Sequence, residues 1–376
     1  MKITVVGPVF PYRGGIAHYT TLLVQNLKAR GHTVQVISFK RQYPAWLYPG
    51  ENDRDPSLQP LKVDAEFILD PLYPWTWWDA ARRVVREHPD LVIIQWWTTF
   101  WAPAYIGLTS ALHCKSQRIG YLIHHVLPHE NRFWDRWLAC MAFRQGDAFL
   151  LQNKTEIEHL KQLVAPDAVI KIAAHPIYDM FTGPQVTAGQ ARQQLNLPSE
   201  AKVLLFFGIV RQYKGLNVLL EAIARLKAQL GDIYLLVAGE FWEARKEYQA
   251  EIERLGIADY VRLDDRYIPN EEIPLYFAAA DLMVAPYLWG SGSGAVKMAL
   301  GFGLPVVITE PVVDDVLLGR NDVWVVPAGD ALQLKEGITA MLLKSRTARQ
   351  APGDNGWNRV VEMLMEMADP KLTRPQ

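Results

Sequence analysis

The sequence predicts an α/β protein made of two doubly wound domains that face one another across a cleft. Three observations carry that reading. The chain has 376 residues, which fits two domains better than one at about 150 residues each. Half of its residues are hydrophobic and only 21% are charged, apolar mass enough for two cores. Short continuous apolar runs alternate with amphipathic stretches, and this happens twice, on either side of a polar break.

Taken in order, residues 3–6 form a short β-branched run that reads as a first buried strand. A glycine-containing turn follows, then an amphipathic helix over 16–30, which Gly31 is placed to stop. A strand resumes over 33–39, and residues 91–94 and 119–123 supply two more. The pattern breaks over 176–198, where Gly183, Pro184 and Gly189 sit in a polar stretch that reads as a linker. The second series has strands at 203–207, 234–238, 282–285 and 306–309, a helix over 216–230, and another ending near Gly301. Each half opens strand–turn–helix, so both are Rossmann-like. The expected division is 1–180, 181–355 and a C-terminal segment 356–376 whose amphipathic stretch 357–367 reads as a helix.

Composition excludes a disordered tail, a collagen-like fibre and a disulfide-stapled miniprotein. With 39 Lys+Arg against 40 Asp+Glu the net charge is −1, so no nucleic-acid partner is expected. Cys114 and Cys140 lack metal-ligand spacing and are read as reduced thiols in or near the core. The first apolar run is too short for a leader, and no stretch is long enough to span a membrane, so the expected compartment is the cytoplasm.

Four stretches have the residue types for chemistry. Gly14 and Gly15 follow the first strand, where glycines let a ligand approach the backbone and the first N–H groups of a helix. A plain tight turn accounts for them equally well, and no GxGxxG is present. His124, His125 and His129 follow the strand at 119–123, at the carboxyl edge where open α/β sheets place their sites. An imidazole there serves as a base or a hydrogen-bond donor; the alternative is a structural pair. Zinc is disfavoured because the spacing is not HExxH and Pro128 interrupts a helix.

Gly208, Arg211 and Lys214 lie in the turn after the strand at 203–207, and two cations beside a helix N-terminus suit a diphosphate. Most Arg and Lys are merely solvated; the crevice position separates these two from that background. Ser291, Ser293 and Gly294 form a Gly/Ser loop before a helix, again an anion site, without the GK[ST] of a Walker loop.

Together these stretches resemble a GT-B glycosyltransferase of the retaining, group 1 type, over about residues 1–365. Residues 11–17, the histidine turn 123–130, the turn 206–215 and the strand with its exit at 280–287 are the parts that match. The resemblance implies a nucleoside-diphosphate sugar as substrate, no cofactor and no metal. It implies that Gly14 and Gly15 lie against the donor phosphates and that His124 hydrogen-bonds the transferring sugar. Arg211 and Lys214, with Gly208, Ser291, Ser293 and Gly294, would hold the donor. His125, His129, Trp96 and Trp97 would line the acceptor side. In the family, the C-terminal helix crosses back to the first domain.

One departure stands out. The family carries two glutamates separated by seven residues, and those places fall on Gly290 and Met298, which cannot accept hydrogen bonds through a carboxylate. Nine of thirteen tryptophans precede the linker, notably Trp75, Trp77 and Trp78, and Trp96, Trp97 and Trp101. Such rings stack on sugars or sit at a lipid headgroup boundary, though core packing accounts for at least half. The expected activity is therefore sugar transfer with retention to a glycan or lipid-linked glycan, with peripheral contact at the inner membrane face. The alternatives are a nucleotide-sugar epimerase of the same fold and a non-catalytic nucleotide-sugar-binding subunit.

Overall fold

The first apolar run forms β1 (Lys2–Val6), buried from Ile3 onward, and leads through a turn into α1 (Gly15–Ala29). A computed structural model describes residues 1–115, 117–128, 132–181, 186–230, 232–344 and 355–369. The chain continues through β2 (Thr33–Phe39), β3 (Glu66–Leu69), α2 (Trp75–Glu87), β4 (Leu91–Trp96) and α3 (Ala102–His113). Then come β5 (Ile119–Ile123), α4 (Asp135–Phe143), β6 (Ala148–Leu151), α5 (Ile157–Lys161) and β7 (Val169–Ile172). The seven strands pair in the order β3-β2-β1-β4-β5-β6-β7, every pair parallel. Strands β4 and β5 are buried at every position, which is why they read as unbroken apolar runs rather than as alternation.

A second sheet repeats the plan. Its elements are α6 (Ala188–Gln194), β8 (Lys202–Phe207), α7 (Leu216–Leu230), β9 (Ile233–Ala238), α8 (Arg245–Arg254) and β10 (Val261–Asp264). They continue through α9 (Ile273–Ala279), β11 (Leu282–Ala285), α10 (Gly294–Gly301), β12 (Val306–Thr309), β13 (Val323–Val326) and α11 (Ala331–Leu343). The strand order is β10-β9-β8-β11-β12-β13, again all parallel. Parallel strands place all their carboxyl ends on one edge, and the turns leaving β8 and β11 share it.

The chain divides into two units. One comprises Met1–Asp55, Pro60–Ala174 and the chain from Gly356 onward; the other comprises Pro56–Gln59 and His175–Asn355. The last helix, α12 (Trp357–Met367), packs on α1, β6 and β7 of the first unit. Its Trp357 is buried 5.1 Å from the ring of Tyr19.

Two expectations need correction. The division falls between Ala174 and His175 rather than at 180/181, and the stretch read as a linker is part of the second unit. It contains α6, started by a capping box in which Thr187 accepts from the Gln190 backbone and Gln190 returns the bond. Arg192 on α6 pairs with Asp281 at 2.6 Å, so the polarity that suggested a linker includes a buried salt bridge. Cys114 is exposed rather than core, and Cys140 is half-buried; both are free thiols.

Candidate functional site

In the second unit, β8 ends at Phe207 and Gly208 turns the chain into a short 3-10 segment, Gln212–Lys214. Gly215 follows with φ 69°, and a Cβ there would lie 2.0 Å from the Pro286 carbonyl oxygen, so only glycine lets this turn meet the loop after β11. The Leu288 amide donates to the Tyr213 carbonyl at 2.7 Å, which ties the two loops together.

Lys214 is buried, with its Nζ 5.6 Å from the centre of the Tyr287 ring and 3.2 Å from where a Cβ on Gly208 would stand. Burial lowers its pKa; the nearby Tyr213 pushes the other way and the positive charge of Arg211 lowers it further. Among the described residues no carboxylate pairs with Lys214. Arg211 lies 6.0 Å from the Tyr213 ring and 5.7 Å from the Trp242 ring. Two cations thus converge with no acid on the ammonium, an arrangement that an anion would complete.

The loop after β11 leads to the N-terminus of α10. Ser293 caps that helix, accepting from the Val296 amide at 3.3 Å, and its Oγ lies 2.9 Å from the Tyr287 hydroxyl. The side chain expected to face a donor therefore serves as a helix cap. Ser291 is buried, and Gly294 begins α10, where a Cβ would meet Tyr178 at 3.5 Å and His175 Nε2 at 3.9 Å. Gly290 holds φ 141°, which a glutamate would occupy only under strain, and Met298 is buried.

Beside Met298 lies a pair that sequence reasoning missed. Lys297 is 0% exposed and its Nζ stands 2.8 and 2.7 Å from the two carboxylate oxygens of Asp314. The same Asp314 accepts from the Val316 and Leu317 amides at 3.0 and 3.2 Å. Burial lowers the Lys297 pKa and Asp314 opposes that. His175, also missed, has its pKa lowered to about 4, chiefly by burial, so its ring is neutral near pH 7. A lysine inside the apolar run of α10 was the one available signal, because a buried lysine needs a partner.

In the first unit, Gly14 caps α1 without any side-chain bond, and a Cβ on Gly15 would meet nothing within 4 Å. Packing therefore does not require glycine at 15. His124 lies just past β5, its amide donating to the Trp96 carbonyl at 2.9 Å. Its Nε2 is 2.7 Å from Gln95 Oε1, and Tyr19 meets its ring edge-on at 4.8 Å. With that amide orientation Nε2 donates to Gln95. His125 is half-buried, and His129 lies outside the described residues.

Trp96, expected to meet an acceptor, is 0% exposed; its Nε1 donates to the Val126 carbonyl and its ring packs on Phe143 at 4.7 Å. It is a core residue, closed to any acceptor. Trp97 is half-buried and donates to the Tyr43 hydroxyl at 3.0 Å. Among the described residues, no three metal-ligating side chains converge.

Residues 201–344 match the group 1 glycosyl transferases, and residues 14–173 match the glycosyl transferase 4-like domain. The chain is 37% identical over 150 residues to a D-inositol 3-phosphate glycosyltransferase of Corynebacterium diphtheriae, 38% of this chain and 34% of that relative. It is 26% identical over 233 residues to the lipopolysaccharide core biosynthesis mannosyltransferase LpsB of Rhizobium meliloti, 60% of this chain and 62% of that relative. Both matches span less than two thirds of the curated relatives. Anabaena Alr3699/HepE, solved in complex with UDP, superposes with TM-score 0.72 at 17% identity, covering 97% of this chain and 99% of that one. Two parallel-sheet units of this topology, each matched by a domain of the same kind, mean that the chain belongs to the group 1 glycosyltransferases of the GT-B fold.

Proposed function

We propose that this protein moves a sugar from a nucleoside-diphosphate sugar to a glycan or lipid-linked glycan with retention of configuration. In this reading the first unit binds the acceptor and the second the donor. The observation that carries it is Lys214, an enclosed ammonium beside the charge of Arg211 with no carboxylate of its own among the described residues. The bond from the sugar's anomeric carbon to the diphosphate breaks as the bond to the acceptor oxygen forms, and the acceptor's proton passes to the departing diphosphate. The departing diphosphate gains negative charge, which Arg211, Lys214 and the N-terminus of α10 stabilise. His124 positions the sugar, held by Gln95. UDP is the nucleotide we favour, because the Anabaena protein has also been solved with UDP-glucose.

The reaction takes place at the inner membrane face, with the aromatic-rich first unit toward the acceptor. Gly290 and Met298, where carboxylates are expected, favour one second reading: nucleotide-sugar binding without turnover. Incubation with UDP-, GDP- and ADP-sugars, with and without chelator, separates the two. Nucleotide release with a UDP-sugar, unaffected by EDTA, supports transfer; tight binding without release supports the second reading. His124→Ala should lower turnover far more than Arg13→Ala, whose parent side chain bonds the Tyr48 hydroxyl at 3.1 Å. Equal losses would remove the positioning role.

A further inference from the structure

The turn that holds Arg211 is gripped by the loop leaving β9. Gly239 follows that strand with φ 148°, and a Cβ there would lie 2.2 Å from the Gly208 carbonyl oxygen, so the exits of β8 and β9 lie against each other. Pairing of the two chains runs on past both strands. The Val210 amide donates to the Glu240 carbonyl at 2.9 Å, and the Trp242 amide donates to the Val210 carbonyl at 3.2 Å. That register sets Trp242 alongside Arg211.

Side chains complete the grip. Glu240 is buried, and one of its carboxylate oxygens accepts from the Trp242 indole at 3.1 Å, which holds the ring in place. Glu243 accepts from the Gln212 amide at 2.5 Å and from the hydroxyl of Tyr248 on α8 at 2.7 Å. Both backbone neighbours of Arg211 are thus tied to the same loop. Its guanidinium lies within cation–π reach of the Trp242 and Tyr213 rings, and Tyr213 is braced in turn, edge-on to Tyr287 at 5.8 Å.

Packing does not account for the indole. Among the described residues Phe241 packs on the apolar core of this unit and Trp242 does not. Trp242 is half-buried, and its partners include the carboxylate of Glu240 and the charge of Arg211. An arginine free on a surface turn samples many rotamers, and ordering it at the moment of binding weakens affinity. Of the side-chain rings, tryptophan attracts a guanidinium best, so an indole at this place orders the cation in advance.

We propose that Trp242, oriented by Glu240, is a positioning residue of the donor site: its ring holds the Arg211 guanidinium in the pose that meets a diphosphate before the donor arrives. The role rests on the reading of Arg211 as a diphosphate ligand, and the test separates the two.

Titration calorimetry with UDP, GDP and ADP, without sugar or acceptor, is run on the full chain and its variants. Trp242→Leu should weaken binding of the preferred nucleotide about tenfold. In an Arg211→Ala background the same substitution should change affinity less than about twofold, because the residue it acts through is gone. Trp242→Phe keeps a ring face and should recover most of the loss. Glu240→Leu keeps the indole but removes its acceptor, and should weaken binding several-fold, again only with Arg211 present; it serves as the second variant should Trp242→Leu not fold. Equal losses in both backgrounds, or no loss in either, overturn the positioning role and leave the donor reading standing. A parent chain that binds none of the three nucleotides overturns the donor reading and this role with it.

Discussion

An ammonium enclosed beside a guanidinium with no carboxylate is costly until an anion arrives. Lys214 is in that position, and its lowered pKa has a definite sign in linkage. The folded chain releases this proton at lower pH than the unfolded chain does, so this group's contribution to stability rises with pH between the two pKa values. A bound diphosphate raises the folded pKa again, so binding in that alkaline window takes up protons. Calorimetry in buffers of different ionisation enthalpy should show this uptake for UDP, and Lys214→Met should abolish it while costing about 1.5–3 kcal/mol of affinity. Arg211 and Lys214 were legible in the sequence because they lie three residues apart in one turn, so local spacing alone brings them together. Lys297 and Asp314 were not: seventeen residues separate them, and only the loop after β12 joins them. Trp96 misled because an aromatic run resembles a sugar platform, whereas a central parallel strand buries both faces.

At the scale of elements, strands were the clearest feature, since most are short apolar runs between polar turns. Strands β5, β11 and β12 have the bounds the sequence predicted, and β1, β8 and β9 differ by one residue. The stretch over 176–198 was misread because α6 is short and polar outside, and its start signal is a Thr–Gln capping box in a glycine-rich setting. The glycine pair before α1 gives an element-level test. Gly15 begins the helix, and a Cβ there touches nothing within 4 Å. Gly15→Ala should therefore hold or raise stability, by up to about 1 kcal/mol. If donor phosphates approach this backbone, the same change should weaken UDP-sugar binding. A melting curve and a titration on one variant decide it; unchanged affinity would leave the glycine as a turn residue only.

For the whole molecule, the informative element is the last helix. Trp357 on α12 touches Tyr19, and Tyr19 touches His124, so a helix distant in sequence braces the ring at the end of β5. Trp357→Ala removes a fully buried indole and should cost about 3–5 kcal/mol. Denaturant unfolding should show the loss, with His124-dependent turnover falling alongside it. The two-unit plan was legible from the repeated alternation of apolar runs, but the excursion of residues 56–59 into the second unit was not. There Ser57 accepts from the Asn270 amide at 2.9 Å, a bond between residues 213 apart in sequence.

The return of α12 to the first unit also sets an order of events at the ribosome. Strands β6 and β7 emerge early, yet the helix that covers them is made only after His175–Asn355 has been translated. At about 5–20 residues per second, that interval lasts roughly 10–40 s. For that time the flank of α1, β6 and β7 that α12 covers lacks its helix.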